Sequence, residues 1–148
     1  RDSSWKGQIE KSGGLATNIG IHFFDLLIWL FGRVEEVKLY YSDQYRVSGF
    51  LRLERADVSW FLSIKHDDLP SEIKQAGKTT FRSIRIDGEE IEFSEGFTDL
   101  HTVVYQRTLA GQGFGIDDAR PSIDLTYRLR NVQLSTHDMD IHPFLKEQ

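Results

Sequence analysis

The chain has 148 residues, 39% hydrophobic and 28% charged, with a formal net charge of -5 and no cysteine. That composition fits one ordinary globular domain, residues 1–148, and excludes disulfide frameworks and cysteine-based zinc sites or catalysis. Its basic residues are scattered, which argues against nucleic acid as a partner, and its longest apolar run, Ile19–Phe31, is too short to span a membrane. With no signal peptide at the start and Arg1 in place of Met, we expect a cytoplasmic piece of a longer protein.

In chain order, residues 1–14 are polar and glycine-punctuated and read as a loop. Residues 15–31 read as one helix stopped by Gly32, apolar on nearly every side as a buried helix would be, with Trp29 assigned to packing. Three strand-like runs follow, Val34–Tyr41, Tyr45–Arg55 and Val58–His66, the last two joined across Arg55-Ala56-Asp57. Residues 67–78 form an exposed excursion. Phe81–Ile86 and Glu89–Phe93 flank Asp87-Gly88, the signature of a type I′ hairpin. Thr98 is placed to cap a helix over Asp99–Ala110 ended by Gly111, and Asp117 or Asp118 to cap a last helix with Pro121 in its first turn. From His137 onward there is no periodicity, and the tail reads as loose.

These elements predict an α+β fold: one open, mostly antiparallel sheet with helices packed on one face. The opposite face would carry Phe50 and Phe61, large apolar groups that favour an oligomer interface if left wet.

The first helix holds the chemistry. Asn18, His22 and Asp25 fall at i, i+4 and i+7, which stacks three polar side chains on one face of a greasy helix. Such groups are costly unless satisfied, and a stripe pointing into a cleft toward a ligand would explain them. A satisfied core histidine is the alternative. A metal site from His22 and Asp25 is poor, because no third ligand is near in sequence. Gly111-x-Gly113-x-Gly115 follows a helix without a βαβ unit, so it reads as a link between helices and supplies no cofactor site.

Gly13-Gly14, Asn18-x-Gly-x-His22 and Asp25-x-x-x-Trp29 resemble the C-terminal domain of the glucose–fructose oxidoreductase / inositol dehydrogenase / rhizopine-catabolism (Gfo/Idh/MocA) family. Ser4-Trp5-Lys6-Gly7, Ser94 to Thr102 and Gly115-Ile116-Asp117-Asp118-Ala119-Arg120 are similar to its UDP-N-acetylglucosaminuronate 3-dehydrogenase branch, which serves bacterial surface-polysaccharide (lipopolysaccharide) biosynthesis. The resemblance implies a missing N-terminal Rossmann domain that holds NAD and carries a Glu-Lys-Pro lysine, so this piece alone is expected to be inactive. It implies that His22 works beside that lysine at the reacting hydroxyl, a task suited to a group whose ordinary pKa is about 6.5. Asn18, where many relatives carry aspartate, would orient a sugar hydroxyl or His22 itself. Asp25 is given a supporting role only, with a bond to backbone or to an arginine in the core as the plainer reading.

A uronate carboxylate and a diphosphate need cationic donors, and Lys6 and Lys11, in the loop before the helix, are candidates against plain surface lysines. Trp5 would stack on a sugar or fill the core. His101, Tyr105 and Arg120 read as packing or subunit contacts. The implied partners are a UDP-sugar, the chain's own Rossmann domain and further copies of itself through the sheet face. A simple sugar or polyol as substrate, or a non-catalytic assembly module, are the competing readings.

Overall fold

The computed structural model describes residues 12–95, 99–135 and 142–146. Its contacts divide the chain into two compact units, one from the residues up to 64 and from 116 onward, the other from residues 65–115.

In the first unit, Gly13 and Gly14 both take positive φ, +75° and +78°, a conformation that L side chains rarely adopt. A Cβ on Gly13 would also lie 2.8 Å from the Thr17 hydroxyl, which donates to the Gly13 carbonyl at 2.9 Å. This turn launches a π-helical turn, Ala16–Gly20, that runs directly into helix α1, Ile21–Phe31. The Gly32 N–H closes the helix on the Ile28 carbonyl at 2.9 Å. The expected helix is therefore present, with one wider turn at its start. Its burial differs from expectation. Phe24 and Leu27 are buried, but Ile19 and Leu30 are exposed and Trp29 is 78% exposed. Trp29, expected to pack, is thus left largely open by the described residues.

Strands β1 (Val34–Ser42), β2 (Arg46–Leu53) and β3 (Ala56–Ser63) form an antiparallel sheet in that order. The β2–β3 register pairs Leu53 with Ala56, so the connection is Glu54-Arg55, one residue earlier than the sequence suggested. Period-2 alternation puts Leu39, Val47, Leu51, Leu53 and Trp60 into the core with Phe24, Leu27, Leu125 and Leu129. The last two belong to the long helix described below.

The other sheet face corrects the expectation of wet aromatics. Phe50 is 4% exposed because Lys38 and Arg52, on either side, lie over its ring at 5.1 and 5.7 Å. Arg52 in turn bonds Glu36 and Asp57, each at 3.0 Å. Phe61 stacks against Phe144, ring centroids 4.7 Å apart, and His142 at 5.9 Å. Phe144 lies in a short helix, Pro143–Lys146, inside the tail expected to be loose. Ser135 N–H also donates to the Leu39 carbonyl at 2.7 Å, tying the chain to β1. Residues 136–141 lie outside the described residues.

The Glu54-Arg55 turn grips the end of α1. Glu54 accepts from the Arg33 backbone N–H at 3.1 Å and from its Nε at 2.8 Å. Arg55 donates from Nη2 to the Leu30 carbonyl at 2.7 Å, where a cation also suits the helix C-terminus. Hydrogen bonds from the Arg33 side chain and backbone, reinforced by its charge, hold the Glu54 carboxyl below its ordinary value of 4.5. A carboxyl lowered on folding adds stability above its ordinary pKa and loses it as pH falls through the folded value. Glu54→Gln should therefore lower the melting temperature near neutral pH and have little effect in strong acid, where the native carboxyl is protonated too. Thermal melts of both proteins across that range provide the check.

The long helix is α2, Ile116–Asn131. It starts at Ile116, just before both candidate caps, which puts Pro121 in the second turn rather than the first.

The second unit holds a 3-10 turn at His66–Asp68, a short helix α3 (Ser71–Gln75), the hairpin β4 (Ser83–Ile86) and β5 (Glu89–Glu92), and helix α4 (Leu100–Leu109). The hairpin has the expected two-residue turn, with Asp87 and Gly88 both at positive φ and Ile84 opposite Ile91. Arg82 fastens its base, donating to the Ser94 hydroxyl and carbonyl, both at 2.9 Å. The strands thus form two separate antiparallel sheets, three-stranded and two-stranded, in place of the single sheet expected. The α+β class stands. Thr98, the expected cap of α4, lies outside the described residues; Asp99 precedes the helix in a left-handed conformation.

Candidate active-site face

The elements that position the stripe are the π turn and the first turns of α1. Asn18 sits within the π turn and is half-buried, while His22 and Asp25, on α1, are exposed. Their side chains make no hydrogen bond or ion pair with another described residue. Among the described residues His22 is therefore not packed into the core. This leaves the His22 imidazole accessible to a ligand, with an amide and a carboxylate on neighbouring turns of the same helix. Trp29, one turn beyond Asp25, continues the exposed face toward the helix end.

The floor beneath this face is tight. Gly20, two residues before His22, is buried, and a Cβ there would meet Phe24 Cε2 at 2.8 Å and Leu62 Cδ1 at 3.0 Å. Sequence reasoning used this glycine only as part of a motif; its role in seating the helix shows only once β3 is beneath it.

The other candidates stand differently. Trp5, Lys6 and Lys11 lie outside the described residues. His101 and Tyr105 are exposed on α4, and Arg120 pairs with Asp117 at 3.2 Å. Among the described residues no group of three His, Asp or Glu side chains could hold a metal ion. Likewise, no helix there is long and apolar enough to cross a membrane. Gly111, Gly113 and Gly115 connect α4 to α2, as a link should.

A shallow cleft of about 370 Å³ does exist, between α1 and α2, lined by Ile28, Arg33, Asp117, Arg120, Asp124 and Arg128 among others. It contains none of the stripe. Its arginines are engaged, Arg33 with Glu54, Arg120 with Asp117 and Arg128 with the Val34 carbonyl. The cleft is thus distinct from the helix face that carries the stripe.

Residues 1–69 match the model of an oxidoreductase family, C-terminal alpha/beta domain. Two solved structures of the WlbA (WbpB) dehydrogenase from Thermus thermophilus are similar over nearly the whole chain. One, in complex with NAD and alpha-ketoglutarate, is 55% identical; the other, in complex with NAD and UDP-GlcNAcA, is 54% identical. Each has a TM-score of 0.90 and covers 95% of this chain and 46% of its own. The chain thus spans about half the length of the enzyme it matches.

Proposed function

We propose that this chain, which belongs to the Gfo/Idh/MocA oxidoreductase family as its C-terminal α/β domain, is the substrate-side half of an NAD-dependent UDP-sugar dehydrogenase. The parent enzyme oxidises C3 of UDP-N-acetylglucosaminuronate, a step toward surface polysaccharide carried out in the cytoplasm. The observation that carries this reading is the Asn18–His22–Asp25 stripe, with Asn18 half-buried, His22 and Asp25 exposed, and none of the three bonded to another described residue. Support comes from a dehydrogenase 54% identical that was solved with NAD and UDP-GlcNAcA.

The similar dehydrogenase was solved with NAD, and this chain spans 46% of it, so NAD is assigned to an N-terminal Rossmann half, where it supplies the hydride acceptor. The work of this half is the proton and the sugar. As hydride leaves C3, the C3 hydroxyl proton must go to a base, and His22, open to solvent, takes it directly or shares it with a lysine of the other half. Asn18 offers an amide to a sugar hydroxyl or to His22, and Asp25 supports from the next turn. Lys6 and Lys11 meet the uronate and diphosphate charges, with Trp5 against the sugar or in the core. Copies of the enzyme associate across the three-stranded sheet, whose outer face presents the Glu36, Lys38, Arg52 and Asp57 charges over Phe50.

The test is the full-length enzyme, sized by light scattering and then given NAD with UDP-N-acetylglucosaminuronate. We expect an oligomer that forms NADH. Oxidation of a simple polyol instead would keep the dehydrogenase and overturn the substrate; no oxidation of either would favour an assembly module. A monomer would overturn the interface.

A further inference from the structure

We propose that Gly20, Phe24, Trp60 and Gly49 form a rigid spacer that sets the height of His22 above the sheet, so that Gly20 is a positioning residue for the proposed reaction. The inference rests on the role given to His22 above.

The spacer is a column of two rings between two glycines. Phe24 lies one turn after Gly20, and helical side chains lean toward the N-terminus, which brings its ring back over Gly20. The ring is 1% exposed, and its atoms would stand 2.8 and 3.1 Å from a Cβ at position 20. It cannot retreat toward the sheet. There it meets Trp60 edge to face, centroids 5.1 Å apart at 74°. Trp60 is held from beneath by Gly49, its cross-strand partner. A Cβ on Gly49 would lie 2.7 Å from Trp60 Cζ2 and would strike the Lys38 carbonyl of β1. Both ends of the column are therefore glycines in contact with aromatic carbon, and close packing leaves no slack between them.

His22 follows Gly20 by two residues, which puts it about 200° round the helix, on the side away from the sheet. Any thickening at Gly20 consequently lifts His22 outward. Leu62, the other neighbour, presents a terminal methyl that can swing aside, so the Phe24 ring is the element that transmits the displacement.

The experiment compares Gly20→Ala, Phe24→Leu and the double variant in the full-length enzyme, by crystal structure and by kinetics with the UDP sugar. In Gly20→Ala, His22 should move away from β3 by a few tenths of an ångström. Because misplacement by about 1 Å can cost about 100-fold, kcat should fall about tenfold with KM within about twofold. In the double variant the smaller leucine side chain in place of Phe24 gives back the room, so both position and kcat should recover. A merely structural role would lower the melting temperature without that split between kcat and KM. An unmoved His22, or an unchanged kcat in folded Gly20→Ala, overturns the proposal. If that variant does not fold, Phe24→Leu decides, because thinning the spacer must lower kcat several-fold. If the native enzyme oxidises no UDP sugar, the functional reading falls, while the position of His22 in Gly20→Ala still decides whether the spacer exists.

Discussion

Replacing His22 with alanine in the full-length enzyme should lower the rate of NADH formation by about 100- to 10,000-fold, the usual worth of a positioned general base. The same change should leave stability within about 0.5 kcal/mol, because the imidazole is exposed and bonds no other described residue. Those two expectations together make the variant decisive. A buried histidine would confuse lost chemistry with lost packing, and this one does not. A fall confined to kcat, with the sugar's KM kept, would assign His22 to the transition state rather than to ground-state binding. A loss of less than about tenfold would shift the main base to the lysine expected in the other half. Undiminished activity would remove His22 from the reaction. Steady-state kinetics with a melting curve on each protein are sufficient to distinguish these cases.

Much of this was legible in the sequence, for local reasons. The stops at Gly32 and Gly111, the Asp87-Gly88 hairpin and the alternation from Val58 to Trp60 each depend on a few neighbouring residues, and each is found; Ile64, expected to continue the alternation, lies beyond β3 and is exposed. The stripe was legible too, because helical spacing alone brings residues 22 and 25 to one side. Non-local features were not. The π turn at Ala16–Gly20 changes one backbone bonding pattern without any marker residue. The Glu54-Arg55 turn contains no glycine, proline or asparagine, so the strand ends could not be fixed within a residue or two. Phe50 and Phe61 looked wet because Phe50 is covered by the stems of two charged residues, Arg52 of its own strand and Lys38 of β1, and Phe61 by Phe144, far along the chain. Trp29 misled in the opposite sense. An apolar residue on an apolar helix predicts burial but not by which segment, and here the described residues leave it open.

The largest effect on stability is expected at Trp60. Its ring touches Phe24 and Gly49, joins α1 to the sheet, and is 6% exposed. Trp60→Ala should therefore cost about 3–5 kcal/mol, a large share of the roughly 5–15 kcal/mol that holds a domain together. Trp60→Phe should cost far less than its lost volume suggests. The buried indole N–H has no hydrogen-bond partner among the described residues, and leaving such a donor unpaired costs about 1–3 kcal/mol. Phenylalanine removes that donor while keeping an aromatic edge against Phe24, so the two terms oppose each other and the net loss should be about 1 kcal/mol. Urea unfolding of the three proteins measures both differences. If phenylalanine costs nearly as much as alanine, the indole N–H is satisfied after all, and the ring's exact width, rather than its aromatic edge, is what the column between α1 and the sheet requires.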